Sequence, residues 1–365
     1  MTFRERLLRT FQRREKDRIL WQPRIYYWYN GRRATDTMPG KYHGMSMLEV
    51  YDALEASPRY GPEVLGLSPY KTTADETVKT RVEDRGEEMV TVHDTPAGTL
   101  RQIVRKGSQG SGDYHREYPV KSPEDMKVMT YILEHTTFSF DREAFEEAER
   151  QFAERGVVQT YYPRAPFQRL IISYMGMQNT IYALTDYKSE TEAFMKAIDS
   201  WDDGMYEVIL ESPLEILNFG ENIDANIDAP RYFNEYLVPY YRKRVDQVHA
   251  AGKYCHIHMD GSLKALLPFI NDAGFDGIEA ATPLPQGDVT LEELKEAMGD
   301  TILLDGIPAV LFLPQYPQEE LEEFATQVLD MFSPNLILGV SDEVPPPAEI
   351  ERIGALSKLV EAYEV

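Results

Sequence analysis

The stretch Lys253-Tyr-Cys-His-Ile-His-Met-Asp-Gly261 decides how the rest of the chain is read. Successive side chains of a β-strand point to opposite faces, so as a strand it sets His256, His258 and Asp260 on one face and Cys255, Ile257 and Met259 on the other. Three metal-ligand or proton-carrying groups then point the same way. The helical segment before it ends at His249-Ala-Ala-Gly252 and Gly261 follows directly, which predicts a short strand running into a loop. Burying three polar groups on a strand face without partners is costly, and a metal or a polar substrate explains them. The C-terminal end of a strand is where an α/β barrel keeps its chemistry.

Outward from that strand the pattern repeats as strand, loop, helix. Strands are predicted at residues 157–161, 215–219, 254–259, 277–281, 301–304 and 336–340, with helices between them opening at Ser189 with Glu192 and at Thr290 with Glu293. Residues 18–29, rich in β-branched and aromatic side chains, predict a first strand running into a loop. Such alternation implies a parallel sheet. No G-x-G-x-x-G follows a strand, so a (β/α)8 TIM barrel is expected rather than a dinucleotide-binding sheet. It is read as a single domain over residues 1–365, with about seven strands placed and the eighth not.

Residues 77–120 break the rhythm. They mix polar and β-branched residues around the turn Asp94-Thr-Pro-Ala-Gly98 and predict an early antiparallel β insertion. Helix resumes at Ser122-Pro-Glu-Asp125, with Ser as N-cap and Pro at the first helical position. At the start of the chain, Thr2 and Glu5 make a capping box before Phe3, Leu7, Leu8 and Phe11 at helical spacing, so a first helix is expected there and not a transit peptide.

Lys plus Arg number 38 against 61 Asp plus Glu, a net charge of −23, and such a surface repels phosphate backbones and anionic lipids. Nucleic-acid and membrane partners are therefore not expected. The single cysteine, Cys255, excludes an intrachain disulfide and any zinc site made of thiolates alone, and a reducing cytoplasm is the simplest compartment. Apolar runs such as Leu170-Ile-Ile172 fall far short of the ~20 residues that span a bilayer.

In a barrel the loops after the strands share one rim. That rim gathers Glu221, His256, His258, Asp260, Glu279, Asp305, Asp342 and Glu343. So many carboxylates cannot all ionise together without a counter-charge, and a divalent cation would relieve them, while at least half are expected to cap helices or bond rim amides. The expected metal ligands are His256 and His258 first, then Glu221 and Asp342, with Glu343 as an alternate. Tyr26, Tyr27, Trp28, Tyr161 and Tyr162 are candidates for a substrate wall, with rim packing an equal alternative, and Arg164 for a contact to an acidic substituent.

With these residues in view the chain resembles the uroporphyrinogen decarboxylase superfamily and, within it, the corrinoid-dependent methyltransferases. The resemblance runs through Thr95-Pro-Ala-Gly-Thr-Leu100, Glu117-Tyr-Pro-Val-Lys-Ser-Pro-Glu-Asp125, Pro239-Tyr-Tyr-Arg-Lys-Arg244, Gly274-Phe-Asp-Gly-Ile278 and the loop at residues 339–346. It implies a (β/α)8 barrel. Methylcobalamin:coenzyme M methyltransferases carry His-x-Cys on the equivalent strand and a Cys in the late loop, together holding zinc; here those places hold His256-x-His258 and Ser341, Asp342, Glu343. Thiolates suit zinc to carry a nucleophilic thiolate, whereas imidazole and carboxylates leave a harder Lewis acid that polarises oxygen or nitrogen.

The resemblance therefore implies a zinc-dependent methyltransferase that moves a methyl group from a small methylated donor, such as a methoxy compound, to Co(I) of a corrinoid. Asp260 or Glu343 would deliver the proton to the leaving group. No Asp-x-His-x-x-Gly motif occurs, and the resemblance implies that the cobalamin arrives on a separate corrinoid protein, with free cobalamin the open alternative. Oligomeric state is open, a homodimer included. Two alternatives remain: decarboxylation of a uroporphyrinogen-type substrate, and a zinc hydrolase or non-catalytic binding member of the same fold. Decarboxylases of the family resemble one another in an Arg-Gln-Ala-Gly-Arg stretch after the first strand; here that place reads Gln22-Pro-Arg-Ile-Tyr-Tyr-Trp28, leaving Arg24 as its cation.

Overall fold

Seven short strands, rich in Ile, Leu and Val, lie side by side: β1 (Leu20–Trp21), β2 (Tyr161–Tyr162), β3 (Ile216–Phe219), β4 (Tyr254–His258), β5 (Gly277–Glu279), β6 (Ile302–Pro308) and β7 (Leu336–Ser341). All neighbours are parallel, in the order β1-β7-β6-β5-β4-β3-β2. The computed structural model describes residues 1–107 and 112–365. It divides into two compact units, the first made of Met1–Ser68, Glu143–Tyr162 and Leu214–Val365, the second of Pro69–Arg142 and Pro163–Pro213. The seven strands belong to the first.

The eighth stave is the segment at residues 57–60. Ser57 N–H donates to the Trp21 carbonyl at 3.0 Å on the β1 side, and Tyr60 bridges Gln159 in parallel ahead of β2, with Gly61 N–H donating to the Gln159 carbonyl at 3.1 Å. The sheet thus closes into a (β/α)8-like barrel. Pro58, which has no N–H to give a ladder, leaves this stave too irregular to stand out as a strand in the sequence.

The first helix, Phe3–Phe11, forms with the expected Thr2–Glu5 capping box. Its Leu7 and Phe11 are buried with Leu20, Val157, Ile216, Ile302, Leu304 and Ile337, residues at or near the starts of the strands. The helix thus plugs the N-terminal end of the barrel, and each of its two large apolar side chains contributes about 1.5–3 kcal/mol by leaving water. The opposite, C-terminal end carries the polar groups.

Residues 18–29 depart from expectation. Only Leu20–Trp21 is strand, and Tyr26–Ala34 is a helix. Trp28 and Tyr29 are buried while Tyr27 is 40% exposed, so burial of one helical face prevails over the β preference of aromatic residues. The helix expected to open at Ser189 begins at Lys188 without a side-chain cap, whereas the Thr290–Glu293 capping box forms.

In the second unit, Lys79–Asp84, Glu88–Thr95, Gly98–Arg105 and Tyr114–Glu117 make a four-stranded antiparallel sheet, as the insertion at residues 77–120 predicts; residues 108–111 of that stretch lie outside the described residues. Gly98 turns the chain at φ +140°, where a Cβ would stand 2.8 Å from Val128. Tyr70–Ala74 pairs antiparallel with Thr136–Phe140, and helices including Pro123–Glu134 and Lys188–Glu211 complete the unit. Ser122 caps the former, as its position before Pro123 predicts. No helix among the described residues is long and apolar enough to cross a membrane.

Candidate functional site

Alternation along β4 turns His256 and His258 into the barrel and Cys255 and Ile257 away from it. Their neighbours in register are Asn218 on β3 and, on β5, Gly277 beside His256 and Glu279 beside His258. Gly277 is where the sheet needs a bare Cα, because a Cβ would lie 2.6 Å from Leu304 Cδ1. β6 supplies Asp305 at φ +83°, which turns its carboxylate inward although Leu304 beside it also faces the core.

Arg59, on the eighth stave, stands fully buried among these groups. Its Nη1 donates to Glu279 Oε1 at 2.6 Å, its Nη2 to Asp305 Oδ1 at 2.7 Å, and its Nε to Gln22 Oε1 at 3.0 Å. The Tyr60 hydroxyl donates to Glu279 Oε1 at 2.7 Å, and Asn218 Nδ2 donates to Glu279 Oε2 at 2.5 Å. His258 Nδ1 lies 3.2 Å from the same Oε2. His256 lies deeper, with Nε2 2.9 Å from Gln159 Oε1 and Nδ1 3.3 Å from Asn218 Nδ2.

Above this layer His258 Nε2 faces Asp260 Oδ2 at 3.7 Å and Asp342 Oδ1 at 3.6 Å. One ligand atom from each of the three lies within 4.8 Å of the others. Two ligands on a tetrahedral zinc at ~2.0 Å are about 3.3 Å apart, so these side chains need move only slightly to hold one, and three protein ligands leave a fourth position open. Arg24 braces the rim: it donates to Asp342 Oδ1 at 2.5 Å, Glu63 Oε1 at 2.9 Å and Glu343 Oε1 at 2.6 Å, and Tyr27 N–H donates to Glu343 Oε2 at 2.9 Å.

Charge decides protonation here. Burial pushes His256 down to about 3, so it is neutral. Burial pulls the same way on His258, but Asp342, Asp260 and Glu279 outweigh it and hold the ring well above its ordinary value. Burial works against ionised Glu279 too, yet Arg59 and His258 keep it well below the carboxylate range. Burial pushes Asp305 up to about 6 and, against the pull of Arg24, Glu343 up to about 8. With Glu343 protonated, five carboxylates (Glu63, Asp260, Glu279, Asp305, Asp342) still face two arginines and one histidine, an acidic excess that a cation would relieve.

The residues expected at the site are only partly brought together. His258, Asp260 and Asp342 meet, and Glu343 stands beside them through Arg24. His256, expected as a first ligand, has both ring nitrogens in contacts deeper in the barrel, and Glu221, buried just after β3, lies outside the three-group cluster. Of the aromatic wall, Trp28 is core, edge-on to Tyr42 with ring centres 6.1 Å apart, and Tyr162 is buried. Tyr161 reaches Glu63 Oε1 at 3.0 Å through its hydroxyl, while Tyr27 meets Glu343 through its backbone. Tyr26 is half-buried with its ring centre 5.9 Å from that of Tyr27, and Arg164 falls in the second unit. Arg59, Tyr60 and Asn218 were not foreseen: isolated polar residues on an unrecognised stave and a strand carry no spacing signal.

The sequence profile described as "Uroporphyrinogen decarboxylase (URO-D)" matches residues 116–363. No curated sequence matches the chain. Among solved structures, the fold is similar to a methyltransferase from Methanosarcina mazei, 12% identical, with a TM-score of 0.64 over 99% of this chain and 98% of that one. A B12-independent methionine synthase from Shewanella sp. W3-18-1 aligns at 11% identity and a TM-score of 0.47, over 94% of this chain and 95% of that one. At 12% identity the likeness to the Methanosarcina mazei methyltransferase is one of fold. The profile match, spanning more than half of the chain, carries the assignment: this protein belongs to the uroporphyrinogen decarboxylase (URO-D) family.

Proposed function

We propose that the protein is a zinc-dependent methyltransferase that passes a methyl group from a small methoxy compound to Co(I) of a separate corrinoid protein in the cytoplasm. The observation that carries this is the cluster of His258, Asp260 and Asp342, one imidazole and two carboxylates at the C-terminal ends of β4 and β7. These three would hold the metal. A zinc ion there supplies a Lewis acid toward the donor oxygen. When the methyl carbon leaves, the electron pair of the broken C–O bond stays on oxygen, and a proton from Glu343, a carboxyl protonated near neutral pH, neutralises it. Arg24 keeps Asp342 and Glu343 adjacent, and the Tyr26, Tyr27 and Tyr161 rings offer apolar surface for the donor.

The family's decarboxylase reading finds less support. A substrate with many carboxylates needs cations to meet it, and Arg24 is already engaged by Glu63, Asp342 and Glu343, as Arg59 is by Glu279 and Asp305.

The test is an anaerobic assay of zinc-loaded protein with Co(I)-cobalamin and a panel of methoxy compounds, following loss of the Co(I) absorbance. Methylation by the wild type and its loss in His258→Ala are expected. Decarboxylation of a uroporphyrinogen, with no methoxy donor turned over, would overturn the proposal.

A further inference from the structure

Glu279 sits at the centre of a hydrogen-bond arrangement that accounts for more than its burial. An ionised carboxylate only accepts, through about four lone-pair sites. Oε1 takes Arg59 Nη1 at 2.6 Å and the Tyr60 hydroxyl at 2.7 Å; Oε2 takes Asn218 Nδ2 at 2.5 Å and faces His258 Nδ1 at 3.2 Å. Four donors fill four sites, and the guanidinium leaves no reason for the carboxyl to hold a proton.

Two consequences follow for the histidines. His258 Nδ1 must carry hydrogen, because Glu279 has none to give, so the nitrogen that faces Asp260 and Asp342 is Nε2. The Asn218 amide must turn its NH2 toward Glu279 and the Tyr60 hydroxyl, to both of which it donates, and the same NH2 faces His256 Nδ1 at 3.3 Å. An NH2 cannot accept, so that nitrogen is the one without hydrogen, and His256 Nε2–H donates to Gln159 Oε1. One carboxylate thus fixes hydrogen on Nδ1 of His258 and leaves Nδ1 of His256 bare, two residues apart.

We propose that Glu279, held by Arg59, is the positioning residue of the site: it presents His258 as an Nε2 ligand and keeps His256 out of the ligand set. A carboxylate behind a ligating imidazole orients the ring and makes it a stronger base, and its loss lowers metal affinity about 10–100-fold. The metal part of this rests on the proposed role of His258, whereas the placing of the ring hydrogens does not.

The experiment is nitrogen NMR of protein labelled with 15N-histidine, recorded without metal and with one equivalent of zinc, the His258 and His256 signals identified by their loss in single variants. His258 Nδ1 protonated in both states, zinc shifting Nε2, and His256 Nε2–H throughout are expected. A His258 Nδ1 without hydrogen, or zinc on Nδ1, would overturn the proposal. Failure to take up zinc with Nδ1 still protonated would sink the metal reading and leave the positioning intact. In a competition assay with a chromophoric chelator, Glu279→Gln should bind zinc about 10–100-fold more weakly at unchanged stoichiometry, and unchanged affinity would also overturn the proposal. The labelled protein needs no substitution at Glu279, so the test survives if that variant fails to fold.

Discussion

Arg24 and His258 share one oxygen of Asp342: Arg24 Nη1 lies 2.5 Å from Oδ1, and His258 Nε2 faces the same atom at 3.6 Å. The guanidinium therefore acts as a standing counter-charge in a rim of carboxylates.

Arg24→Met removes that counter-charge and leaves Glu63, Asp342 and Glu343 facing one another. Breaking a buried charge cluster in this way costs about 3–5 kcal/mol, so the metal-free variant should unfold at markedly lower urea than the wild type. Saturating zinc should recover part of the difference by binding the folded state. Equal urea midpoints without metal would remove Arg24 from its bracing role.

Glu343→Gln keeps the shape of the rim and removes its proton donor. Methyl transfer should slow about 10²–10⁴-fold while zinc affinity stays within a few-fold of wild type. If zinc binding and turnover fell together, Glu343 would be a ligand and not the acid.

His256 predicts a pH dependence of stability. Its folded pKa is lowered to about 3 from an ordinary value of 6.5. The stability it contributes is therefore complete above pH 6.5 and is lost as pH falls toward 3, because the unfolded chain takes up the proton first. Between pH 7 and pH 5 the loss should be about 2 kcal/mol, absent from His256→Gln, by urea unfolding at the two pH values. Parallel curves for the two proteins would mean that His256 titrates normally.

Gly339→Ala tests the packing around Arg59 from β7, the strand beside Asp305. A Cβ there would stand 2.3 Å from Asp305 Oδ1 and 3.0 Å from the Gln22 carbonyl, both contacts of Arg59. Overpacking should cost about 1–3 kcal/mol in thermal or urea unfolding, and an unaffected variant would show that Asp305 can move aside.

Much of the barrel was legible because its period is physical. The strands expected at residues 215–219, 254–259, 277–281 and 336–340 fall on β3, β4, β5 and β7, where β-branched and leucine-rich runs end in Gly or polar residues. The eighth stave was not, since Pro58 interrupts it and its closure depends on Trp21 and Gln159, far away in sequence. The aromatic run from Tyr26 misled for a related reason: its β preference is weaker than the gain from burying Trp28 and Tyr29 on one face of a helix. At the site, alternation correctly put His256 and His258 on one face but could not separate their depths. That distinction comes from Asn218, Gln159 and Glu279, partners that only the closed barrel assembles.

The metal assignment is tested most directly by zinc per chain in three proteins reconstituted and desalted in parallel: wild type, His258→Ala and His256→Ala. About one zinc in the wild type, close to none in His258→Ala and about one in His256→Ala are predicted, the count expected of a single catalytic site. Zinc retained by His258→Ala, or absent from the wild type, would contradict a metal centre built on His258, Asp260 and Asp342.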